Sequence, residues 1–562
     1  MKYIKLIGAI IFTGVLGGCD KKLDSLLPNP NNPSPSTASV DLYLNQAQIS
    51  FTGFYTGASD FGAALTREQE WFGPLYGNAY SPNSFDGMWT TAYTSIMKNV
   101  NAMIPLAQQQ KKYIQSGIGR VLKAYVLGTL VDDFGNIPFS EADLGIDNLT
   151  PAADPGATVY AGVIALLDSA IADFGKTGAG ASPTNDLFYG GNKANWTKAA
   201  KTLKLKFYMQ ERLVDNSVTA KIQALLTEND LINTEAQDLT FKYSTNNASP
   251  DSRHPHYASN YTVGGSAGDF ISNNFMWAVA AEKSGAVSTP AIDPRTRFYF
   301  YRQRTNYGDV TQQSCPCAYQ SAPAHYPAGM PFCLVGNNSG YWGRDHGDNS
   351  GIPPDGNLRT TWGVYPAGGQ LDKKQGTTVS LSLGGKGAGI DPIWTSFFTS
   401  FLEAEAALKL GITTLGTPRF LLEKGIRASI NKVVSFPLTI GVDTATVGPR
   451  AVGLGSIDNY VTIVLNAYDA ATSDDARLEI IEKEYWLAAW GNGIEPYNNY
   501  RRTGKPGNLQ PVLTTANPGF FIRSFFYPAV YVNRNINAPA QKTLGTAANK
   551  VFWDNNPDNF IK

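Results

Sequence analysis

The sequence predicts a mostly α-helical protein whose helical body is interrupted by one large irregular region. Two observations carry this. Apolar residues recur at helical spacing on single faces from Val40 to about Asn229 and again over about 391–500. Between these stretches, over about 232–390, Gly, Pro, Asn and aromatic residues are dense and the periodicity fades. A third feature precedes the body: a short basic, then apolar, leader that ends in a cysteine.

In that leader, Lys2 and Lys5 precede an apolar run from Leu6 to Leu16, and the small pair Gly17-Gly18 precedes Cys19. The run is far shorter than the roughly 20 residues that cross a bilayer, so residues 1–18 are expected to be a cleaved signal peptide. The stretch LGGC resembles a bacterial lipobox, which makes Cys19 the lipidated mature N-terminus. Each buried acyl CH₂ contributes about 0.8 kcal/mol, so a multi-chain anchor holds a protein on a membrane. Residues 19–39 are rich in Pro, Asn and Ser and read as a flexible tether.

The body, residues 40–562, is expected to form one compact domain. MWTTAYTSIMKNVNAMI reads as a helix with Trp89 and Tyr93 on its core side. Leu122, Val126 and Leu130 make one apolar stripe, and Leu205, Met209 and Leu213 another. TVYAGVIALLDSAIADFG is a further helix with Gly175 placed to stop it. GNNSGYWGRDHGDNSGIPPDGN is a loop by composition, and the many Tyr and Trp around it argue against disorder. Helical spacing returns with Trp394, Phe398 and Leu402, then in RFLLEKGIRASINKVV, then with Leu478, Ile481, Tyr485 and Ala488. Such pairs resemble tetratricopeptide repeats, without a clean 34-residue period.

Charge limits the partners. The chain has 46 basic and 46 acidic residues, only 16% charged residues in all, and no basic run, so no nucleic-acid footprint is present. Aromatic residues reach 12%, and the surface must be polar largely through Asn, Gln, Ser, Thr and Tyr, which suits uncharged hydrogen-bonding ligands.

Several motifs invite a chemical reading. GGSAG at 264–268 fits G-x-S-x-G with Ser266 as nucleophile, but no buried strand precedes it to build the strained elbow. Asp132-Asp133, Glu403 with Glu405, and Glu482 with Glu484 are paired acids of the kind glycosidases use. They lie on helical segments, where acids are expected on the solvated face. No catalytic residue is therefore assigned. His254 and His256 with Cys315, Cys317 and Cys333 lack the usual zinc spacing, and in an exported chain a disulfide from Cys333 to Cys315 or Cys317 is expected instead. Asp345, Asp348 and Asn349 offer oxygens that suit calcium but lack the EF-hand pattern. No other cofactor is expected.

Aromatic residues also crowd the turn-rich stretch EWFGPLYGNAYSPNSF, where Trp71, Phe72, Tyr76 and Tyr80 sit among Gly, Pro and Asn. Ring faces on loops are what sugars and peptide side chains stack on. Trp71, Tyr76 and Tyr80 are expected to form a ligand platform, faced by Tyr341, Trp342 and Arg344 from the loop GYWGRDHG.

The chain resembles the SusD/RagB family of nutrient-binding outer-membrane lipoproteins of Bacteroidetes. The resemblance rests on NPNNPSPST at 29–37, MWTTAYTSIMKNVNAMI at 88–104, RVLKAYVLGTLVDDFGNIPFSEA at 120–142 and DLFYGGNKANWTKAAKTLKLKF at 186–207. It continues through YWGRDHGDNSGIPPDGNLRTTWGVYPAGG at 341–369, FLEAEAAL at 401–408 and EKEYWLAAWGNGIEPYNNYRRTGKP at 482–506. It implies tetratricopeptide-like helix pairs with a loop-rich ligand face and no enzymatic activity. It also implies a lid-like role on a SusC-like TonB-dependent barrel, capture of an oligosaccharide or peptide, and an outer-membrane anchor facing the exterior. The competing expectations are a lipid-anchored hydrolase and a structural transporter subunit without a ligand.

Overall fold

The computed structural model describes residues 39–178, 183–262, 269–283, 293–304, 320–335, 340–349, 359–444, 449–547 and 549–561, with backbone only over 449–456. The signal peptide, Cys19, all but the last residue of the tether, Ser266, Cys315 and Cys317 lie outside the described residues.

Helix α1 (Val40–Leu65) starts where the Ser39 hydroxyl accepts the N–H of Asp41 at 3.2 Å, and Asp41 favours the positive end of the helix. The next helix is continuous through α2 (Asp86–Thr90), a π-helical stretch (Thr91–Met97) and α3 (Lys98–Gln109). Helix α4 (Tyr113–Phe134) buries Leu122, Val126 and Leu130 and packs most extensively on α5 (Gly156–Gly175), which ends at the expected glycine. By length and apolarity α5 could cross a membrane, but it is clamped between α4 and α6 (Lys193–Glu211). Its acids are also tied down, Asp173 to Arg120 at 3.0 Å and Asp168 to Lys204 at 2.6 Å. Leu213 lies beyond the end of α6, so that stripe is shorter than its spacing implies. Helix α7 (Val218–Glu228) ends on left-handed Asn229.

The irregular region carries β1 (Leu239–Lys242), α8 (Pro255–Tyr261), α9 (Asn273–Ala280), α10 (Thr296–Tyr299), β2 (Phe300–Tyr301), β3 (Thr361–Trp362) and β4 (Ile390–Trp394). β1 pairs antiparallel with β4, Leu239 opposite Trp394, and β2 with β3, Phe300 opposite Trp362. Helices resume at α11 (Ser396–Leu410), followed by α12 (Pro418–Thr439), α13 (Pro449–Ala470), α14 (Asp474–Ala488), α15 (Ile494–Thr503) and α16 (Ala529–Val532). Trp394 therefore closes a strand, although it is buried with Phe398 and Leu402. The expected mostly α fold holds.

Buried apolar residues run from Val40 to Ile561, and the irregular region is packed onto the helices. Trp362 of β3 stacks on Trp490 at 4.0 Å between ring centroids, and the Trp486 indole donates to the Thr66 carbonyl at 3.0 Å. α1 meets the start of α15 at Gly62 and Gly493, where a Cβ on Gly62 would lie 2.2 Å from the Gly493 oxygen. Only glycine allows that approach.

The paired acids correct the expectation of solvated faces: Asp132, Asp133, Glu403, Glu405, Glu482 and Glu484 are all buried. Glu405 is held by Arg212 at 2.6 Å and Arg502 at 2.5 Å, and Glu484 by Arg295, Lys283 and the Tyr460 hydroxyl. Asp132 accepts from Tyr160, Trp553 and Asn498. Their helices are covered on several sides, so Asp132, Glu405 and Glu484 are matched by buried donors, whereas Glu482 has no donor among the described residues and burial, with the neighbouring Glu405 charge, pushes its carboxyl well above the usual range.

Candidate functional site

Three sequence-distant loops are stitched side by side by backbone hydrogen bonds. Gln69 bridges antiparallel to Ile271, and the Glu70 N–H donates to the Phe270 carbonyl at 2.9 Å. Ser272 bridges parallel to Arg344, whose N–H donates to Ile271 at 3.1 Å and whose carbonyl accepts from Asn273 at 2.8 Å. This small lattice gathers Phe72, Phe270, Arg344 and Arg359. The Arg344 guanidinium sits 4.6 Å from the Phe270 ring centre and 5.7 Å from that of Phe72, and Arg359 lies 4.4 Å from Phe270. Arg344 also approaches Asp348 at 3.4 Å. Phe72 is 55% exposed, so its ring faces water while a cation backs it. Leu75 and Phe520 are exposed too, and the Tyr76 N–H donates to the Pro518 carbonyl at 2.9 Å, which brings their two loops together.

Below this rim, both carboxyl oxygens of buried Glu70 lack a hydrogen-bond partner among the described residues. Burial pushes the Glu70 carboxyl up to about 9, with Arg344 opposing. Nearby, the His256 ring stacks on Trp362 at 3.9 Å and is pinned at both nitrogens, Nδ1 to Asp269 at 2.6 Å and Nε2 to Asp60 at 3.1 Å. Burial alone would lower its pKa, but the two carboxylates outweigh burial and hold it up at about 10. Both acids keep part of their surface in water.

The residues expected to form the platform are placed differently. Trp71 is 2% exposed, stacked on His346 at 4.8 Å and tilted against Tyr76 at 4.7 Å. Tyr76 is buried; its hydroxyl receives Arg67 Nη2 at 3.2 Å and lies 3.2 Å from His346 Nε2. Tyr80 is half-buried, edge-on to Phe61 and Phe85. Tyr341, Trp342 and Arg344 are buried. The two segments do meet, but as a packed stack rather than as open ring faces. The solvent-facing ring is Phe72, and the residues missed beside it are Phe270, Arg359, Glu70 and the Asp60–His256–Asp269 set. The aromatic cluster was the only sequence signal for Phe72; which ring turns outward depends on partners far along the chain.

The remaining sequence candidates are used structurally. His254 Nδ1 accepts the N–H of His256 at 3.2 Å, and Cys333 is disulfide-bonded. The Asp345 carboxylate accepts from Asn273, Gln510 and the Cys333 N–H at 2.7 to 3.0 Å, which leaves it poorly placed for calcium. No group of three His, Cys, Asp or Glu among the described residues is arranged to hold a metal ion. What the exposed face offers is the Phe72 ring and the part-exposed Asp60 and Asp269 carboxylates, with the Arg344 and Arg359 guanidinium groups buried behind them, and rings and carboxylates of this kind suit polar rings and hydroxyls.

Residues 34–321 match a family model described as starch-binding and associating with the outer membrane, and residues 393–554 match one described as SusD and RagB outer-membrane lipoprotein. Among solved structures, the chain is similar to a SusD/RagB family protein from Bacteroides thetaiotaomicron, at 17% identity and a TM-score of 0.62, covering 92% of this chain and 99% of that one. A SusD homologue from Bacteroides ovatus gives 18% identity and a TM-score of 0.65 over the same shares. A chitin-binding SusD homologue from Flavobacterium johnsoniae gives 19% and 0.59, again over 92% and 99%. No curated protein matches the chain.

Proposed function

Because the chain belongs to the SusD/RagB family of outer-membrane lipoproteins, we propose that it is a surface-exposed nutrient-binding lipoprotein. It captures an oligosaccharide on the face around Phe72 and delivers it to a SusC-like TonB-dependent barrel, with Cys19 as its lipid anchor. The observation that carries this reading is Phe72, an exposed aromatic ring backed by Arg344 and bordered by polar groups. A pyranose places its C–H face on such a ring and its hydroxyls on neighbouring charged groups. Two structural neighbours named as chitin-binding support a glycan over a peptide. The protein acts by binding, not by catalysis.

The test is to titrate the purified protein with chitohexaose, maltohexaose and mixed short peptides by calorimetry while following each ligand by chromatography. Retention of an intact glycan supports the reading. Cleavage would turn it into the lipid-anchored hydrolase, and no binding of any kind would leave a structural transporter subunit.

A further inference from the structure

A groove of about 220 Å³, lined by none of the residues of the Phe72 face, lies between the helix carrying Trp89 and Tyr93, the loop after α4 with Pro138 and Leu149, and the C-terminal segment with Tyr531 and Arg534. None of these segments belongs to the three stitched loops of the ligand face. Its floor is a continuous aromatic stack: Trp89 lies 4.8 Å from Tyr531 and 4.9 Å from Tyr93. The loop and the C-terminal segment are locked together, since Asn535 donates to the Pro151 carbonyl at 2.8 Å and Asn537 to that of Thr150 at 2.7 Å. The groove is thus built rather than incidental.

Three features of this region are unexplained by folding alone. Ile146 and Ile536 are 91% and 90% exposed, Leu149 is 75% exposed, and Leu144 is half exposed. Scattered single apolar residues are ordinary, but four large aliphatic side chains on two joined loops beside a groove mark an interaction surface. The Tyr531 hydroxyl, on a residue only 6% exposed, has no hydrogen-bond partner among the described residues. An unmet buried hydroxyl is costly, and a ligand in the groove supplies the missing partner. Arg534 at the rim is exposed and makes no ion pair among the described residues.

We propose that this groove docks an extended segment of a protein partner. An apolar side chain of the partner lies on the Trp89 and Tyr531 floor, one of its backbone groups satisfies the Tyr531 hydroxyl, and an adjacent Asp or Glu pairs with Arg534. A glycan fits less well: most of the lining is apolar, and of its charged and amide residues Asp143 and Asn535 are already bonded, to Asn101 and to the Pro151 carbonyl, which leaves Arg534 alone for sugar hydroxyls. A protein segment uses all three features at once, with aromatic and arginine anchors of the kind that dominate interfaces. The proposal does not depend on what the Phe72 face binds.

The experiment is to pan a library of short displayed random peptides against the purified full-length lipoprotein in detergent, then measure enriched peptides on Leu149→Asp, Arg534→Glu and Tyr531→Phe. Both Leu149 and Arg534 are exposed, so these variants are expected to fold with unchanged melting temperatures. The expected result is enrichment of peptides with an aromatic or aliphatic residue next to Asp or Glu. Their affinity should fall about tenfold in Leu149→Asp and Arg534→Glu, and less in Tyr531→Phe. It should not move in Phe72→Ala, which reports the other face. No enrichment, or peptides indifferent to all three variants, overturns the proposal. So does chitohexaose binding that Leu149→Asp abolishes, which assigns the groove to a glycan. Self-association that Leu149→Asp dissolves overturns it as well, because the occupant is then a second copy of this chain.

Discussion

Trp71 and His346 lie ring on ring, 4.8 Å apart and within 24° of parallel, which turns a loop tryptophan into core. Burial and the Arg67 charge hold His346 well below the ordinary histidine range, so the ring is neutral and its Nε2 can accept the Tyr76 hydroxyl proton. Trp71→Ala therefore removes the middle of a stack. It should cost about 3 to 5 kcal/mol of stability, seen as a large drop in melting temperature. Unchanged melting would show that the ring is not packed as described.

Phe72→Ala should behave in the opposite way. The ring is more than half exposed, so melting should barely shift, while glycan affinity measured by calorimetry should fall by about 1 to 3 kcal/mol. Equal affinity in the variant would remove Phe72 from the site.

The adjacent positions 71 and 72 show what the sequence reveals and what it does not. Helical faces such as Leu122, Val126 and Leu130 were legible because their burial follows from local periodicity. The aromatic richness of the loop was legible as well, and so was its pairing with the loop at 341–346. Which ring faces outward was not, because it is set by the bridges from Gln69 to Ile271 and from Ser272 to Arg344, across about 200 and 70 residues of chain. Glu405 misled for a related reason: an acid on a periodic helix reads as solvated unless its donors are known. Arg212, just past the end of α6, and Arg502, on α15, hold Glu405 from far along the chain.

Cys333 has a positive φ of 64° and its N–H is held by Asp345 at 2.7 Å, so the disulfide it forms is anchored in a fixed turn. Pairing with Cys315 or Cys317 would close a loop of about 17 residues and contribute on the order of 3 kcal/mol. Alkylation without reductant followed by intact-mass analysis should then mark only one thiol among Cys315, Cys317 and Cys333. Three marked thiols would refute the pairing.

Cys19→Ala should release the protein from the membrane without unfolding it, because α1 begins at Val40 with its own cap from Ser39. Fractionation should move the protein from the detergent phase to the aqueous phase, with its melting temperature kept. A variant that remains in the detergent phase of a strain lacking the proposed partner barrel would rule out lipid anchoring at this cysteine.

His256 supplies a pH signature. Its two nitrogens face Asp60 and Asp269, its ring lies on Trp362, and Arg359 stands near Asp269 as an opposing charge. Asp269 is held below the ordinary carboxylate range: burial would raise it, but the His256 charge outweighs that. The folded imidazolium titrates at about 10, against about 6.5 for a free histidine. A group whose folded pKa is raised contributes its full stability below the unfolded value and loses it as pH rises through the folded one. The contribution is therefore complete below about pH 6.5, declines between 6.5 and 10, and is gone above 10. Since both carboxylates are partly in water, it amounts to on the order of 2 to 4 kcal/mol. His256→Gln keeps hydrogen-bond donors in its amide group but carries no charge. The stability gap between wild type and His256→Gln, from urea unfolding at several pH values, should be widest near pH 6 and close toward pH 10. A gap that stays constant across that range would mean His256 is neutral in the folded protein, and the paired carboxylates would then need another counter-charge.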